Sequence, residues 1–435
     1  MLRGKVNRRT FIRQGLAAGA AGIALSRMTA ASFGRVIGAN DQINLGIIGC
    51  GARGGWLIKN SITAGEKGVA IAAACDVFKS RLEEYRNETE KNLGSKPKAY
   101  HDYRKLLADG DIDAVVIATP DHQHCGMACD AIQAGKHVYV EKPLPGLVCD
   151  LPELNRLYDT VKASKMDVQV GTQGVSCPGA QAIKKVIAEG KLGKLFRVES
   201  TETALKPYWV SYKGPATEAE TDWKAWLYNR PARPFDAKMH AMWMGYREIT
   251  SGTIGGWMSH FINLVHFVTG CGFPKSAVAW GGRYALTNDP DCTCPDQTDV
   301  VLEYPEGFHT QFTSHFGSDI DNEKTLFMFE KGSIHCKFGH SPGNPVMSSK
   351  GVNDEIKPQK LLEVDPPSPL EAHVKNWQDC IRTGKQPNAN IELGYKHGVA
   401  VVMGDAAWTQ NRKVHFDEAK REVGPFIRTV DEPHR

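Results

Sequence analysis

The stretch from Ile43 to Trp56, Ile-Asn-Leu-Gly-Ile-Ile-Gly-Cys-Gly-Ala-Arg-Gly-Gly-Trp, constrains the fold of this chain more than any other. Its apolar run, Ile43 to Ile48, predicts a parallel strand buried on both faces. That run breaks directly into Gly49, Gly51 and Gly54 at GxGxxG spacing. In such a turn the first glycine permits the tight bend, the second lets the backbone approach a pyrophosphate, and the third lets the next helix pack closely on the strand. The first N–H groups of that helix, at Ala52 and Arg53, add an anion-binding end.

The context decides what the turn binds. A second apolar run, Val69 to Cys75, ends in Asp76, 22 residues past Gly54. Strand, glycine turn, helix, strand and acid in that order predict a dinucleotide site with Asp76 on the adenosine ribose. An acid there repels a 2′-phosphate and favours NAD(H), while the nearby Lys79 and Arg81 keep NADP(H) open.

The pattern repeats downstream. Ala114 to Ala118 reads as a strand closed by Thr119-Pro120-Asp121, Cys125 to Ala134 as a helix, and His137 to Val140 as a strand closed by Glu141-Lys142-Pro143. Strands alternating with helices predict a doubly wound parallel sheet, with its ligand crevice beyond the carboxyl ends of the strands. Gly49, Asp76, Thr119 and Lys142 all fall at such ends. Beyond Gly190 strand-like runs joined by hairpin turns dominate, and two helical stretches, Leu370 to Arg382 and Gly394 to Gln410, return to cover the core.

The GxGxxG turn, Thr119-Pro120, the downstream His124 and above all Glu141-Lys142-Pro143 resemble the Gfo/Idh/MocA superfamily of glucose–fructose oxidoreductase and inositol dehydrogenase. The resemblance implies an α/β Rossmann domain over residues 36–170 and an α+β domain with a largely antiparallel sheet over 171–368. Residues 369–435 would then pack back on the core, and the open face of the second sheet would pair subunits into a homo-oligomer. It also implies roles around the nicotinamide. Thr119 and Pro120 would line the cofactor, Glu141 would orient the lysine or touch the cofactor, and His124 would sit beside its ribose or serve packing. Lys142 would hydrogen-bond the reacting hydroxyl as hydride leaves.

A carbinol oxidation also needs a proton acceptor, and histidine suits that task near neutral pH. His260, in Gly255-Gly256-Trp257-Met258-Ser259-His260-Phe261-Ile262-Asn263, falls on the histidine of the family's helical segment. The family's aspartate, four residues earlier, is replaced by Gly256. Asn263, one turn on, is placed to bind a sugar hydroxyl. Trp223, Trp226, Trp243 and Trp257 cluster nearby, as either sugar-stacking or core residues. No metal site is expected. His122 and His124 do not share a helix face, and Cys292-Thr-Cys294 lacks a second ligand pair and reads as a surface loop. Eleven cysteines, several within apparent Rossmann elements, argue against a disulfide framework.

The N-terminus predicts a compartment. Asn7-Arg8-Arg9-Thr10-Phe11-Ile12-Arg13, a weakly apolar run to Leu25 and small residues at Thr29 to Ser32 match a twin-arginine export signal over residues 1–35. The apolar run is too short for stable membrane insertion. Without residues 1–40 the formal charge changes from +4 to −3, so nothing suggests nucleic acid as a partner. Passage through the twin-arginine machinery would bring the chain folded to the periplasm. Free NAD is scarce there, so the cofactor is expected to stay tightly bound. The expected function is hydride transfer from a carbinol of a sugar, sugar derivative or polyol. The alternatives are a redox-neutral glycosidase working by transient oxidation at sugar C3, which the chain resembles through its signal, and a silent carbohydrate-binding protein.

Overall fold

The computed structural model describes residues 42–57, 68–207, 216–285, 292–320 and 324–425. The expected export signal lies outside them. Six strands form one all-parallel sheet: β1 (Ile43–Ile48), β2 (Val69–Cys75), β3 (Lys98–Tyr100), β4 (Ala114–Ile117), β5 (His137–Val140) and β6 (Val168–Val170). Their order is β3-β2-β1-β4-β5-β6, so the chain changes direction of travel between β1 and β4. That switch point opens a crevice at the carboxyl ends of the strands.

Both faces of this sheet are covered, as its continuous apolar strands require. On one face the helices His124–Gln133 and Leu151–Lys162 contribute to the main core with Val115, Val138 and Val140. The other face receives the returning helix Pro369–Thr383. Its Leu370, Val374, Trp377 and Ile381 recur every three to four residues and pack on Ile43, Leu45, Ile47 and Val116. Trp377 is fully buried, and truncating such a side chain to alanine costs about 3–5 kcal/mol.

Ten further strands form the second sheet: β7 (Leu195–Ala204), β8 (Ser276–Gly282), β9 (Gln297–Tyr304), β10 (Phe308–Phe316), β11 (Lys324–Phe329), β12 (Gly332–Lys337), β13 (Val346–Ser348), β14 (Gln359–Lys360), β15 (Val414–Asp417) and β16 (Glu422–Pro425). Their order is β14-β13-β12-β11-β7-β10-β9-β8-β15-β16. All neighbours run antiparallel except β7 and β10, which are parallel. Alternation along β9 and β10 buries Val300, Leu302, Phe312 and Phe316 on one face and leaves Asp299, Glu303, Gln311 and Thr313 partly exposed on the other. The helix Ser259–Thr269 runs beneath the covered face, where Phe261 stacks on Phe312.

Two local readings need correction. Cys292 and Cys294 do not form a surface loop: both are buried beside Phe316, with Cys294 N–H donating to the Gly245 carbonyl at 2.9 Å. The tract containing His260 is helical, but it begins with a π-helical turn, Ile254–Met258. All eleven cysteines are free thiols.

Candidate active site

The glycine turn is built as its spacing requires. Gly49 has φ of 93°, and a Cβ there would lie 2.5 Å from the Ala118 carbonyl oxygen at the end of the neighbouring strand. A Cβ on Gly54 would collide with the Gly49 carbonyl, so only glycine lets the helix Ala52–Leu57 approach β1 this closely. A Cβ on Gly51 would meet nothing within 4 Å, because this residue faces open space. Gly49, Gly51, Ala52 and Arg53 line a cavity of about 760 Å³ that follows the strand ends.

Asp76 closes one end of that cavity. Its carboxylate accepts from Cys50 N–H at 2.9 Å and Phe78 N–H at 2.8 Å, which ties the acid to the glycine turn. Burial raises its pKa, opposed chiefly by the positive charge of Arg81. Arg81 lines the cavity beside Asp76. Each carboxylate oxygen keeps a second lone pair for a ribose hydroxyl.

The ends of β4 and β5 form the middle of the site. Thr119, Pro120, Glu141 and Lys142 all line the cavity. His124 lines it too, but its ring is engaged: Nδ1 lies 2.7 Å from the Pro143 carbonyl oxygen and Nε2 2.9 Å from that of Thr119. Both oxygens are acceptors, so the neutral ring donates to one of them, and only the imidazolium bridges the two strand ends. Glu141 is buried and accepts from Arg53 Nε at 2.7 Å. Lys142 donates from Nζ to the Gly256 carbonyl oxygen at 2.9 Å, and burial lowers its pKa.

The second sheet and its helix complete the wall. His260 lines the cavity, is 7% exposed, and carries an Nδ1 that is buried without a partner, which leaves Nε2 as its accessible nitrogen. Burial, and then the positive charge of Lys142, hold its pKa well below 6.5. The imidazole is therefore neutral at pH 7, the form that accepts a proton. Trp226, Trp243 and Trp257 also line the cavity, and Trp223 stacks behind Trp226 at 4.6 Å.

Two sequence-derived candidates do not reach the cavity. Gly54 acts through packing, as above. Asn263 is fully buried, and its Nδ2 donates to Thr172 Oγ1 at 2.8 Å. Residues three apart share a helix face, but Asn263 is buried more deeply than His260 and its amide is taken up by Thr172. Conversely Asp121, Gln173, Glu202 and His340 line the cavity without having been singled out. Asp121 stands at a strand end, where the position itself was a signal. Glu202 arrives from β7 and His340 from the turn after β12, and neither carries a local motif.

The Gly51 gap, the helix start at Ala52 and the Asp76 carboxylate fit a nicotinamide dinucleotide. The family model described as "Oxidoreductase family, NAD-binding Rossmann fold" matches residues 43–172, and that of the "GFO/IDH/MocA C-terminal domain" matches residues 180–335. The chain belongs to the Gfo/Idh/MocA family.

As a Gfo/Idh/MocA protein it is an NAD-binding oxidoreductase by family. It is 25% identical over 367 residues to scyllo-inositol 2-dehydrogenase (NAD(+)) of Bacillus subtilis (strain 168), covering 81% of this chain and 92% of that protein. Glycosyl hydrolase family 109 protein 2 of Shewanella sp. (strain ANA-3) is 31% identical over 175 residues, 39% of this chain and 37% of the relative. A levoglucosan dehydrogenase solved in complex with NADH and levoglucosan shares the fold, with a TM-score of 0.66 at 18% identity over 86% of this chain and 99% of that one. Among the described residues no cluster of three or more His, Cys, Asp or Glu side chains could hold a metal ion, and no helix is long and apolar enough to cross a membrane.

Proposed function

We propose that this protein oxidises a carbinol of a sugar, sugar derivative or polyol, using a tightly held nicotinamide cofactor, NAD(H) ahead of NADP(H). The observation that carries the reading is the convergence of Lys142 and His260 on the cavity that begins at the glycine turn. The B. subtilis relative, an NAD(+)-dependent inositol dehydrogenase by name, supports the substrate class.

The glycine turn and the helix start at Ala52 and Arg53 hold the pyrophosphate, and Asp76 holds the adenosine ribose. When bound, the nicotinamide supplies a hydride acceptor at the strand ends. Lys142 turns its ammonium from the Gly256 carbonyl to the substrate oxygen and stabilises the negative charge that grows there as hydride departs. His260 takes the hydroxyl proton on Nε2. Its partner-free Nδ1 means that no carboxylate favours the imidazolium, so the base stays weak and returns its proton readily. The tryptophans at Trp243 and Trp257 offer faces for a pyranose ring.

A second reading draws on the family 109 relatives: oxidation and return of hydride within one turnover, with net glycoside cleavage. Export by the twin-arginine route and assembly into a homo-oligomer belong to the same proposal, because a folded passage would carry the nucleotide out with the protein.

The test is to purify the exported form without added cofactor, denature it, and assay the supernatant for NAD(H) and NADP(H). Near-stoichiometric nucleotide supports the retained-cofactor reading and names the nucleotide. Pairs of sugars then test oxidoreduction, and aryl glycosides test cleavage. An empty protein that also fails to bind added nucleotide overturns both enzymatic readings.

A further inference from the structure

The charges beneath the π-helical turn leave one unmatched pair. Glu141 is held by Arg53, with Nε at 2.7 Å. Asp150 is gripped by both terminal nitrogens of Arg230 at 2.7 Å each, and Asp405 meets Arg247 at 2.6 Å. Asp121 is as buried as these, at 5% exposed, yet forms no ion pair among the described residues. Lys142 forms none either. Both line the same cavity.

Hydrogen bonds join the two. Asp121 Oδ2 accepts from Thr250 Oγ1 at 2.7 Å, and Thr250 Oγ1 accepts from Gly252 N–H at 3.2 Å. The Gly252 carbonyl accepts from Gly256 N–H at 2.8 Å, and the Gly256 carbonyl accepts from Lys142. The carboxylate also lies close to the residue after the lysine: a Cβ built on Gly255 would be 3.1 Å from Pro143 Cγ and 3.6 Å from Asp121 Oδ2. Asp121 Oδ1 has no hydrogen bond among the described residues and belongs to a residue on the cavity wall. A buried carboxylate and a buried lysine that form no ion pair among the described residues each gain from sharing a cavity of low polarity, beside the help of His124 and Glu141.

We propose that Asp121 is the positioning residue and counter-charge for Lys142, supplying from the end of β4 the carboxylate that the helical tract lacks at Gly256. This rests on the reading of Lys142 given above. The charged and titratable groups facing the pair are Glu141, Arg53, His260 and His397 around Lys142, and His124, Asp150 and Cys294 around Asp121. Glu141 and Asp150 are each neutralised by an arginine. Glu141 leads the negative charges that favour the Lys142 ammonium and Asp121 follows it; because Glu141 is shared with Arg53, removing Asp121 weakens the support of the ammonium as pH rises.

The experiment follows the Lys142 ammonium by NMR in the full-length protein labelled at lysine side chains, with its resonance assigned by loss in Lys142→Met. In Asp121→Asn the Lys142 midpoint falls by about one pH unit, whereas Asp121→Glu keeps it near the parent value. With a turned-over sugar, Asp121→Asn lowers kcat by about 10–100-fold with little change in KM and unchanged nucleotide content. Equal Lys142 midpoints in the parent and Asp121→Asn overturn the proposal, whatever happens to melting temperature. Should Asp121→Asn not fold, Lys142→Met supplies the reciprocal reading: the Asp121 carboxyl, followed by carbon NMR, titrates at higher pH than in the parent, and an unmoved carboxyl overturns the pairing. A parent protein inactive on all sugars would defeat the dehydrogenase reading while leaving these titrations to judge the pair.

Discussion

Lys142 Nζ and the Gly256 carbonyl oxygen meet at 2.9 Å across 114 residues of sequence. Four residues before His260 this chain offers Lys142 a main-chain dipole, from within the π-helical turn Ile254–Met258. A neutral acceptor holds the ammonium in place without locking it there, so the lysine can transfer its hydrogen bond to a substrate.

Replacing Lys142 by methionine keeps the side-chain length and removes the donor. We expect kcat to fall by about 10²–10³-fold with bound nucleotide retained. Rates measured beside nucleotide content check this; loss of nucleotide in place of rate would move Lys142 from chemistry to cofactor binding.

The pH profile follows from two depressed pKa values. Activity rises as His260 loses its proton and falls as Lys142 loses its own. Burial lowers both, so the acid limb lies below 6.5 and the alkaline limb below 10.5. His260→Asn should erase the acid limb and cost about 10²–10⁴-fold in kcat. An acid limb that survives this substitution would assign the base to another residue.

The three turn glycines should separate by function. Gly51→Ala points into open space, so we expect stability within about 0.5 kcal/mol of the parent but weaker nucleotide binding. Gly49→Ala meets the Ala118 carbonyl at a φ that disfavours alanine, and should lose stability and nucleotide together. Urea melts and nucleotide titrations read both quantities. Unaltered nucleotide affinity in Gly51→Ala would remove that residue from the phosphate cradle.

Asp76→Ala orphans Cys50 N–H and Phe78 N–H, a cost of about 1–3 kcal/mol for each buried donor left unsatisfied. Nucleotide affinity should fall as well, by about tenfold or more, if the carboxylate also holds the ribose. A destabilised protein with parental affinity would restrict Asp76 to bracing the turn.

Acid should act against the fold at its buried histidines. Burial pushes His122, His266 and His397 down to about 3. Between 6.5 and that value the unfolded chain holds protons that the folded chain does not, so stability falls as pH falls, by up to about 1.4 kcal/mol per pH unit for each ring. Asp167, raised by burial from 3.8 to about 6, acts in the opposite sense over that interval, as do Asp76, Asp121, Asp405 and Glu153, whose carboxyls burial also raises. The contribution of one ring is therefore read by difference: from about pH 7 to about pH 5 the urea midpoint of His397→Gln should fall less, or rise more, than that of the parent. Equal pH slopes in the two proteins would contradict the burial of the His397 ring.

The Rossmann half was legible because its signals are local. A glycine turn fixes its own geometry, and apolar strands ending in Asp76, Thr119 and Lys142 predict where side chains gather. The second half was legible as strands and hairpins but not as a wall of the site. Glu202 reaches the cavity through long-range strand pairing and His340 through the turn after β12, and neither leaves a periodic trace. Asn263 was misplaced because spacing along a helix does not reveal which neighbour a polar group will find; here it was Thr172. The π-helical turn was hidden for a related reason, since its Gly-Gly sequence reads equally as ordinary helix or loop.

The parallel pairing of β7 with β10 has a longer reach. Two parallel strands cannot be joined by a tight turn, so the chain must make an excursion between Ala204 and Phe308 before it can return alongside. Trp226, Trp243, Gly256 and His260 all ride on that excursion. Outside β8, β9 and the helix Ser259–Thr269, its length and contents can drift while the ladder between its two ends stays intact. A lineage could exchange one sugar for another by rewriting the detour and leave untouched both the scaffold and the nucleotide it carries.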